Sequence, residues 1–360
     1  MKPLRIIDKD INFLGEIDNY SKFSIKRNFS DIGSFELEIS VNKNNVDKLE
    51  KNNLVFLSND FNKVGIITHK EFAYGEHGVN TDRLLVHGQT LDGLVSRRLI
   101  VPDTNKAYDS FDGYQEEIIK YFVDRNCVNP KDLKRKITYL EIAENKKLGE
   151  IDGWRSSYDQ LGEKVKEICE YANLGFNIVL DYKNKMFIFD VISGRDLTVS
   201  QNKNPPVIFR QDFNNIKTRK YIESLESHKN VCYIGKKEDE EEPILHYGES
   251  EGFERIEVFK DFEFQVSEID LTKKEALKTL KELEILQSFE LEVKPNNTFI
   301  YGKDYDMGDI VTVQDRRLGI TLDVPITEVE EIHDENGMSI IITFGKGIPT
   351  LIETIKRKVK

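Results

Sequence analysis

Three carboxylates, Asp304, Asp306 and Asp309, sit in the stretch YGKDYDMGD from Tyr301 to Asp309. Paired carboxylates can hydrolyse glycosides, but only at a set separation in space, which spacing along a chain does not carry. Alternating oxygen ligands can also hold calcium in a loop that closes on a Glu at its twelfth position. Counted from Asp304 that position is Asp315, and a strand-like run begins before it. A turn accounts for the same residues: Gly308 supplies a permissive backbone and Asp309 leads into DIVTV. We therefore expect this stretch to be structural and assign no catalytic residue to it.

The remaining reactive residue types are scattered. His69, His77, His87, His228, His246 and His333 form no HExxH, and the first three match no common zinc spacing. Cys127, Cys169 and Cys232 show no CxxC spacing, which argues against a disulfide framework or zinc knuckle and fits a reducing compartment. Cys127 and Cys169 fall in or near helix faces, where a free thiol behaves as a small buried hydrophobe. No GxSxG, Walker loop or GxGxxG occurs. No metal and no cofactor are expected. The basic pair Arg97-Arg98 closes LLVHGQTLDGLVSRRLIVP (Leu84 to Pro102), where cations suit the end of a helical turn. Trp154, the only tryptophan, reads as a packing anchor.

Composition narrows the classes further. The 360 residues carry a formal net charge of −12, which on average repels nucleic acid. Mean hydropathy is −0.49, and no run approaches the roughly 18 apolar residues of a membrane span. MKPLRIIDKDINF has charges inside its apolar part, so a secretory signal is not expected.

The elements that must position these residues are mostly strands. LRIID, FLGEI, FSIKRNF, SFELEIS and LVFLS read as a β-meander over residues 4 to 58, with Phe35, Leu37, Ile39 and Val41 alternating against Glu36, Glu38 and Ser40. VGIITHKEF and DRLLVHG follow, joined by a turn near Gly75 and Gly78. In the corner after Gly88, Leu91, Leu94 and Val95 share a helical face.

Residues 103 to 200 read as α+β. A helix runs with Phe111, Gln115, Ile118 and Phe122 on one face and Asp112 as N-cap. A second opens on a capping box, Ser157 with Gln160, and ends at Gly175. A hairpin turns at Lys183-Asn184. Later come VIFRQDF, KYIESLES, NVCYIG and FERIEVF, an acidic tract Glu238 to Glu242 read as an exposed loop, and a helix capped by Thr272 and Glu275. SFELEVK, DIVTVQD, VPITEVEEI and MSIIITFG close the chain, with Asn336-Gly337 predicting a type I′ hairpin.

Four stretches in this order carry a resemblance: FSDIGSFELEIS, VGIITHKEF, VHGQTLDGLVSRRLIVP and YGKDYDMGDIVTV. The chain resembles the siphovirus-type tail hub proteins, a family similar to the baseplate hubs of contractile tails and R-type bacteriocins. The matching positions are Gly33, Phe35, Glu36, Gly65, Ile66, Gly88, Leu91, Leu94, Arg97, Arg98, Pro102, Tyr301, Asp304, Gly308 and Asp309.

The resemblance implies an α+β, mainly β fold: two β-barrel domains with an α/β insertion, in a ring-forming hub. Residues 1–102 would make the first barrel, completed by part of 205–236, and 103–204 the insertion. Residues 237–350 would make the second barrel with one helix (272–286), and 351–360 a basic tail. It further implies a non-enzymatic homotrimer, a pseudo-sixfold ring joining a tail tube or distal tail protein to a spike or tip protein, with the tape-measure protein in its channel. No membrane insertion and no stable nucleic-acid binding are expected. The expected location is the tail tip of a virion or phage-tail-like particle, made in the bacterial cytoplasm. A C-terminal peptidase or receptor-binding extension is not expected. A particle-borne cell-wall hydrolase using Asp304 or Asp309, and a carbohydrate-binding adhesin, are the alternatives.

Overall fold

The first seven strands are β1 Leu4–Ile7, β2 Phe13–Ile17, β3 Lys22–Asn28, β4 Ser34–Ser40, β5 Leu54–Leu57, β6 Val64–Tyr74 and β7 Asn80–Thr90. In β4, Phe35, Leu37 and Ile39 are buried and Glu36 and Glu38 face outward, the pattern of a strand with one wet side. The computed structural model describes residues 2–74, 80–213, 215–236, 244–262, 269–293, 298–317 and 319–345. The Gly75/Gly78 turn, His77, the acidic tract and the basic tail lie outside them.

The next elements are β8 Asp109–Tyr114, α1 Gln115–Val123, β9 Leu140–Ile142, β10 Ile151–Ser156, α2 Leu161–Ala172, β11 Gly175–Asp181 and β12 Met186–Ile192. Then come β13 Asp196–Leu197, β14 Ile208–Arg210, β15 Ile216–Ser224, β16 Val231–Gly235, β17 Leu245–Tyr247, β18 Glu257–Asp261 and α3 Ile269–Glu282. β19 Leu286–Val293, β20 Ile310–Asp315, β21 Ile320–Asp334 and β22 Gly337–Gly345 complete the chain. The protein is thus mainly β with helices, an α+β chain. It divides into two units, Met1–Arg219 with Glu290–Phe344, and Lys220–Phe289 with Gly345–Lys360.

In the first unit an antiparallel sheet runs in the order β22-β21-β3-β4-β7-β6-β5-β1-β2. Its centre joins the two ends of the sequence, since β3 pairs with β21 in a register that sets Ile25 opposite Glu331. The strand pairing among the described residues is an open path and closes no barrel. One face buries Leu4, Ile6, Phe23, Ile25, Phe35, Leu37 and Ile39 together. A second core gathers Phe56 and Ile66 of the sheet, Leu91, Leu94 and Val95 of the corner, and Ile118, Phe122, Ile168, Phe176 and Phe189 from residues 103–204. That core fastens the helical segment to the sheet. In the second unit β16 pairs antiparallel with β17 and parallel with β18, and Ala276 of α3 packs on Cys232 and Ile234.

Local chemistry shifts several boundaries. The N-cap of α1 is Tyr114, whose N–H donates to Glu117 Oε2 at 3.1 Å, rather than Asp112. The Ser157/Gln160 capping box does not form: Ser157 Oγ donates to the Ala107 carbonyl at 2.7 Å, and α2 starts at Leu161. That helix ends on Asn173 in the left-handed region, φ 53°, so Gly175 is left to open β11. Thr272 lies inside α3, which begins at Ile269, and is buried there. Asp334 pairs with Gly337, so the last hairpin turns on Glu335-Asn336, with Gly337 at φ 114°. The positive φ falls one residue past the pair a type I′ turn needs. No helix among the described residues is long and apolar enough to cross a membrane.

Candidate functional site

The residues singled out from the sequence come together at three places in the first unit. The first is built around Phe35. β4 sets Phe35 opposite Gly88 of β7, and the ring lies over two glycines. A Cβ on Gly65 would meet Phe35 Cδ1 at 2.3 Å, and one on Gly88 would meet Phe35 Cε1 at 2.9 Å. The ring also stacks on Phe23 at 6.2 Å between centroids. Ile66 is buried beside Gly65. Glu36, on the wet face, pairs with Lys22 at 3.5 Å.

The second place is the corner after β7. Leu91 and Leu94 are buried in the shared core. A polar chain then ties sheet, corner and insertion: Gly33 N donates to Thr90 Oγ1 (3.1 Å), Thr90 Oγ1 donates to Asp92 Oδ2 (2.7 Å), and Ile178 N donates to Asp92 Oδ1 (2.6 Å). Burial pushes the Asp92 carboxyl up to about 6, against the pull of its Thr90 and Ile178 hydrogen bonds. Arg98 donates through Nε to the Arg135 carbonyl at 2.7 Å, while Arg135 donates to the Leu99 carbonyl at 2.6 Å. These reciprocal bonds pin the chain before Pro102 to the segment after α1. Arg97 is exposed and reaches Asn52 Oδ1 at 3.3 Å. The basic pair is therefore split, one arginine a strut and one a surface group.

The third place is Tyr301 to Asp309. Arg27 of β3 donates to Tyr301 Oη and, at 3.2 Å, to Asp306 Oδ1. Its guanidinium lies 5.6 Å from the Tyr301 ring centre, with Lys63 Nζ at 5.5 Å. Burial raises the Tyr301 hydroxyl pKa, against the opposing pull of Arg27. Asp304 Oδ2 accepts from Ile300 N at 2.7 Å. Gly308 takes φ +84°, and a Cβ there would meet the Phe29 ring at 2.2 Å, so glycine is required twice over. Asp309 is buried and accepts from Arg195 N (2.7 Å), Arg195 Nη2 (2.6 Å) and Asp306 N (2.8 Å). Each of the three carboxylates is thus engaged with donors of its own chain, an arrangement that holds backbone in place.

Arg27, Arg195, Lys63 and Glu331 went unnoticed in the sequence, because their partners lie far along the chain (Arg27 and Asp306 are 279 positions apart). Lys63 Nζ pairs with Glu331 Oε1 at 2.6 Å, and His333 Nε2 sits 3.9 Å from Glu331 Oε2. Burial raises the Glu331 pKa, but His333, Lys63 and Arg27 outweigh it and bring it to about 2. His69 and His87 lie side by side, ring centres 4.4 Å apart. Among the described residues no three His, Cys, Asp or Glu side chains gather as a metal-binding group. Trp154 is buried, donates to Asp152 Oδ2 at 2.9 Å and meets Tyr171 edge-on.

A family model described as Siphovirus ReqiPepy6 Gp37-like protein matches residues 3–346. No curated protein matches the chain. Among solved structures, the 43 kDa tail protein of prophage MuSo2 from Shewanella oneidensis is similar at 12% identity and a TM-score of 0.60, over 96% of this chain and 98% of that one. A tail protein from Neisseria meningitidis MC58 matches at 12% identity and 0.58, over 96% and 97%. Prophage tail protein gp18 from Listeria monocytogenes EGD-e matches at 12% identity and 0.55, over 100% and 98%. At such identities the likeness is one of fold.

Proposed function

The chain belongs to the Siphovirus ReqiPepy6 Gp37-like family, and from that premise we propose that it is a structural protein of a phage tail, acting as a baseplate or tail-tip hub. The observation that carries the proposal is a fold shared over nearly the whole chain with three tail proteins, two of them from prophages. The motif residues agree with it, because they are spent on holding backbone: Asp309 on Arg195, Arg98 on the Arg135 carbonyl, Phe35 on the glycines beside it. The role is non-enzymatic.

In its finer form the proposal is a homotrimer whose subunits each contribute two barrel-like β modules to a pseudo-sixfold ring. Residues 1–102, with part of 205–236, and residues 237–350 would supply the modules, and 103–204 the insertion. A tail tube or distal tail protein would dock above, a spike or tip protein below, and the tape-measure protein in the channel. β2 ends the path of paired strands and exposes Phe13, an edge that a neighbouring chain could extend by strand addition.

Native mass spectrometry with negative-stain imaging tests this, on the chain alone and co-expressed with its neighbouring tail proteins. A trimer imaged as a six-lobed ring in either setting is the expected result. A monomer in both settings refutes the hub. Arg97, exposed beside the strut, is the proposed junction contact, so Arg97→Glu should block tail assembly without unfolding the chain. Normal tails from that variant would remove Arg97 from the junction.

A further inference from the structure

We infer that the cavity lined by Arg210, Arg219, Arg316 and Arg317 binds a small polyvalent oxyanion of the phosphate class. It measures about 300 Å³, lies in the first unit, and has Asp212 and Gln314 in its wall. Pockets for small molecules begin at roughly this volume. The inference is independent of the tail reading.

Two carboxylates partner three of the four arginines. Asp212 Oδ2 takes Arg210 Nη2 at 2.9 Å and Arg316 Nη1 at 2.7 Å. Buried Asp315 takes Arg219 Nη1 at 2.9 Å. Four guanidiniums against two carboxylates leave two positive charges over, in a chain whose net charge is −12. The Arg317 guanidinium has no partner among the described residues, and its backbone N–H is held by Asp315 Oδ1 at 2.9 Å. Arg210 Nε is shielded from solvent and has no hydrogen-bond partner among the described residues. Arg210 is fixed over the Phe213 ring, 4.8 Å from its centre. A buried donor left unsatisfied, as Arg210 Nε is, is a cost that a ligand removes, while Arg317 offers an exposed, uncommitted guanidinium.

The excess charge selects the ligand. Guanidinium forks match carboxylate and phosphate oxygens alike. Asp212 and Asp315 already supply two carboxylates, and a single ligand carboxylate would still leave one positive charge over. A group with two or more charges neutralises it. The chain's overall negative charge works against a long polyanion, which favours a small one.

Isothermal titration of the full chain with sodium tripolyphosphate tests the inference. One-to-one binding that weakens as salt rises is expected. Arg316→Gln with Arg317→Gln should weaken it by about tenfold or more, while Arg83→Gln on β7 leaves it unchanged. Circular dichroism checks that the variants fold, which the exposure of Arg316 and Arg317 allows. Absence of binding to the parent protein, or equal affinity in the double variant, overturns the inference. Binding of a Glu-Asp-Glu-Glu-Glu peptide without tripolyphosphate binding also overturns it, and makes the cavity a docking site for an acidic chain.

Discussion

Replacing Gly65 by Ala should damage the sheet through one identifiable clash, and removing Phe35 should repair it. The new Cβ would stand 2.3 Å from Phe35 Cδ1 and 2.7 Å from Cε1, inside the ring's van der Waals surface. Overpacking of this kind costs about 1–3 kcal/mol. Phe35→Ala alone empties a buried site and should cost about 3–5 kcal/mol. If the ring is the only obstacle, the alanine methyl moves into the vacated space. The double variant should then be about as stable as Phe35→Ala, a coupling of about 1–3 kcal/mol. Gly88→Ala provides the contrast. Its Cβ would fall 1.9 Å from the Ile66 carbonyl oxygen, a backbone atom that side-chain truncation does not move. Phe35→Ala should therefore leave the Gly88→Ala penalty in place. Urea unfolding followed by the fluorescence of Trp154, the only tryptophan, reads the first unit. Additive costs for Gly65→Ala and Phe35→Ala, or rescue of Gly88→Ala, would refute the reasoning.

Further outcomes follow from the polar bonds. Glu331 has its pKa lowered from 4.5 to about 2, so its contribution is complete above pH 4.5 and is lost as pH falls toward 2. At about 1.4 kcal/mol per pH unit that is about 3 kcal/mol, and Glu331→Gln should flatten this part of a stability-against-pH curve. Asp92 runs the other way, its folded pKa raised to about 6 from 3.8. The stability it lends is present below pH 3.8 and declines as pH rises to 6, a slope that Asp92→Asn should remove from urea titrations in that window. Arg98→Ala should cost about 1–2 kcal/mol through its lost bond to the Arg135 carbonyl, while Arg97→Ala stays within about 0.5 kcal/mol; thermal melts separate the two. Asp309→Asn should lower the melting temperature by the equivalent of about 1–3 kcal/mol, because Arg195 keeps only part of its partner.

Strands were legible wherever one face is wet. SFELEIS alternates, and its buried residues are the apolar ones. Of the expected helical face, Gln115, Ile118 and Phe122 are buried on α1, whereas Phe111 falls in β8 ahead of the helix. Caps were not legible at the same level, since Ser157 finds the Ala107 carbonyl across 50 positions instead of its own helix. A local motif competes with every acceptor the fold brings near, and the sequence does not order that competition. The same reason hid Arg27, Lys63, Arg195 and Glu331. Charged residues on a strand read as solvated until a distant segment covers them. Of the carboxylate stretch, the Gly308 turn was legible from residue type, whereas the burial of Asp309 on Arg195 depends on a contact 114 positions away.

The pairing of β3 with β21 sets a clock on the protein's manufacture. Asn28 finds Glu328 across the ladder, so one edge of β3 lacks its partner strand until about 300 further residues have been made. At roughly 5–20 residues per second that wait is about 15–60 s. Through it the nascent N-terminal sheet presents an open row of backbone donors and acceptors on every ribosome of a crowded polysome. A ribosome stall between β7 and β21 should therefore send nascent chains into aggregates, and a chaperone that covers the β3 edge should raise the yield more than one acting after release.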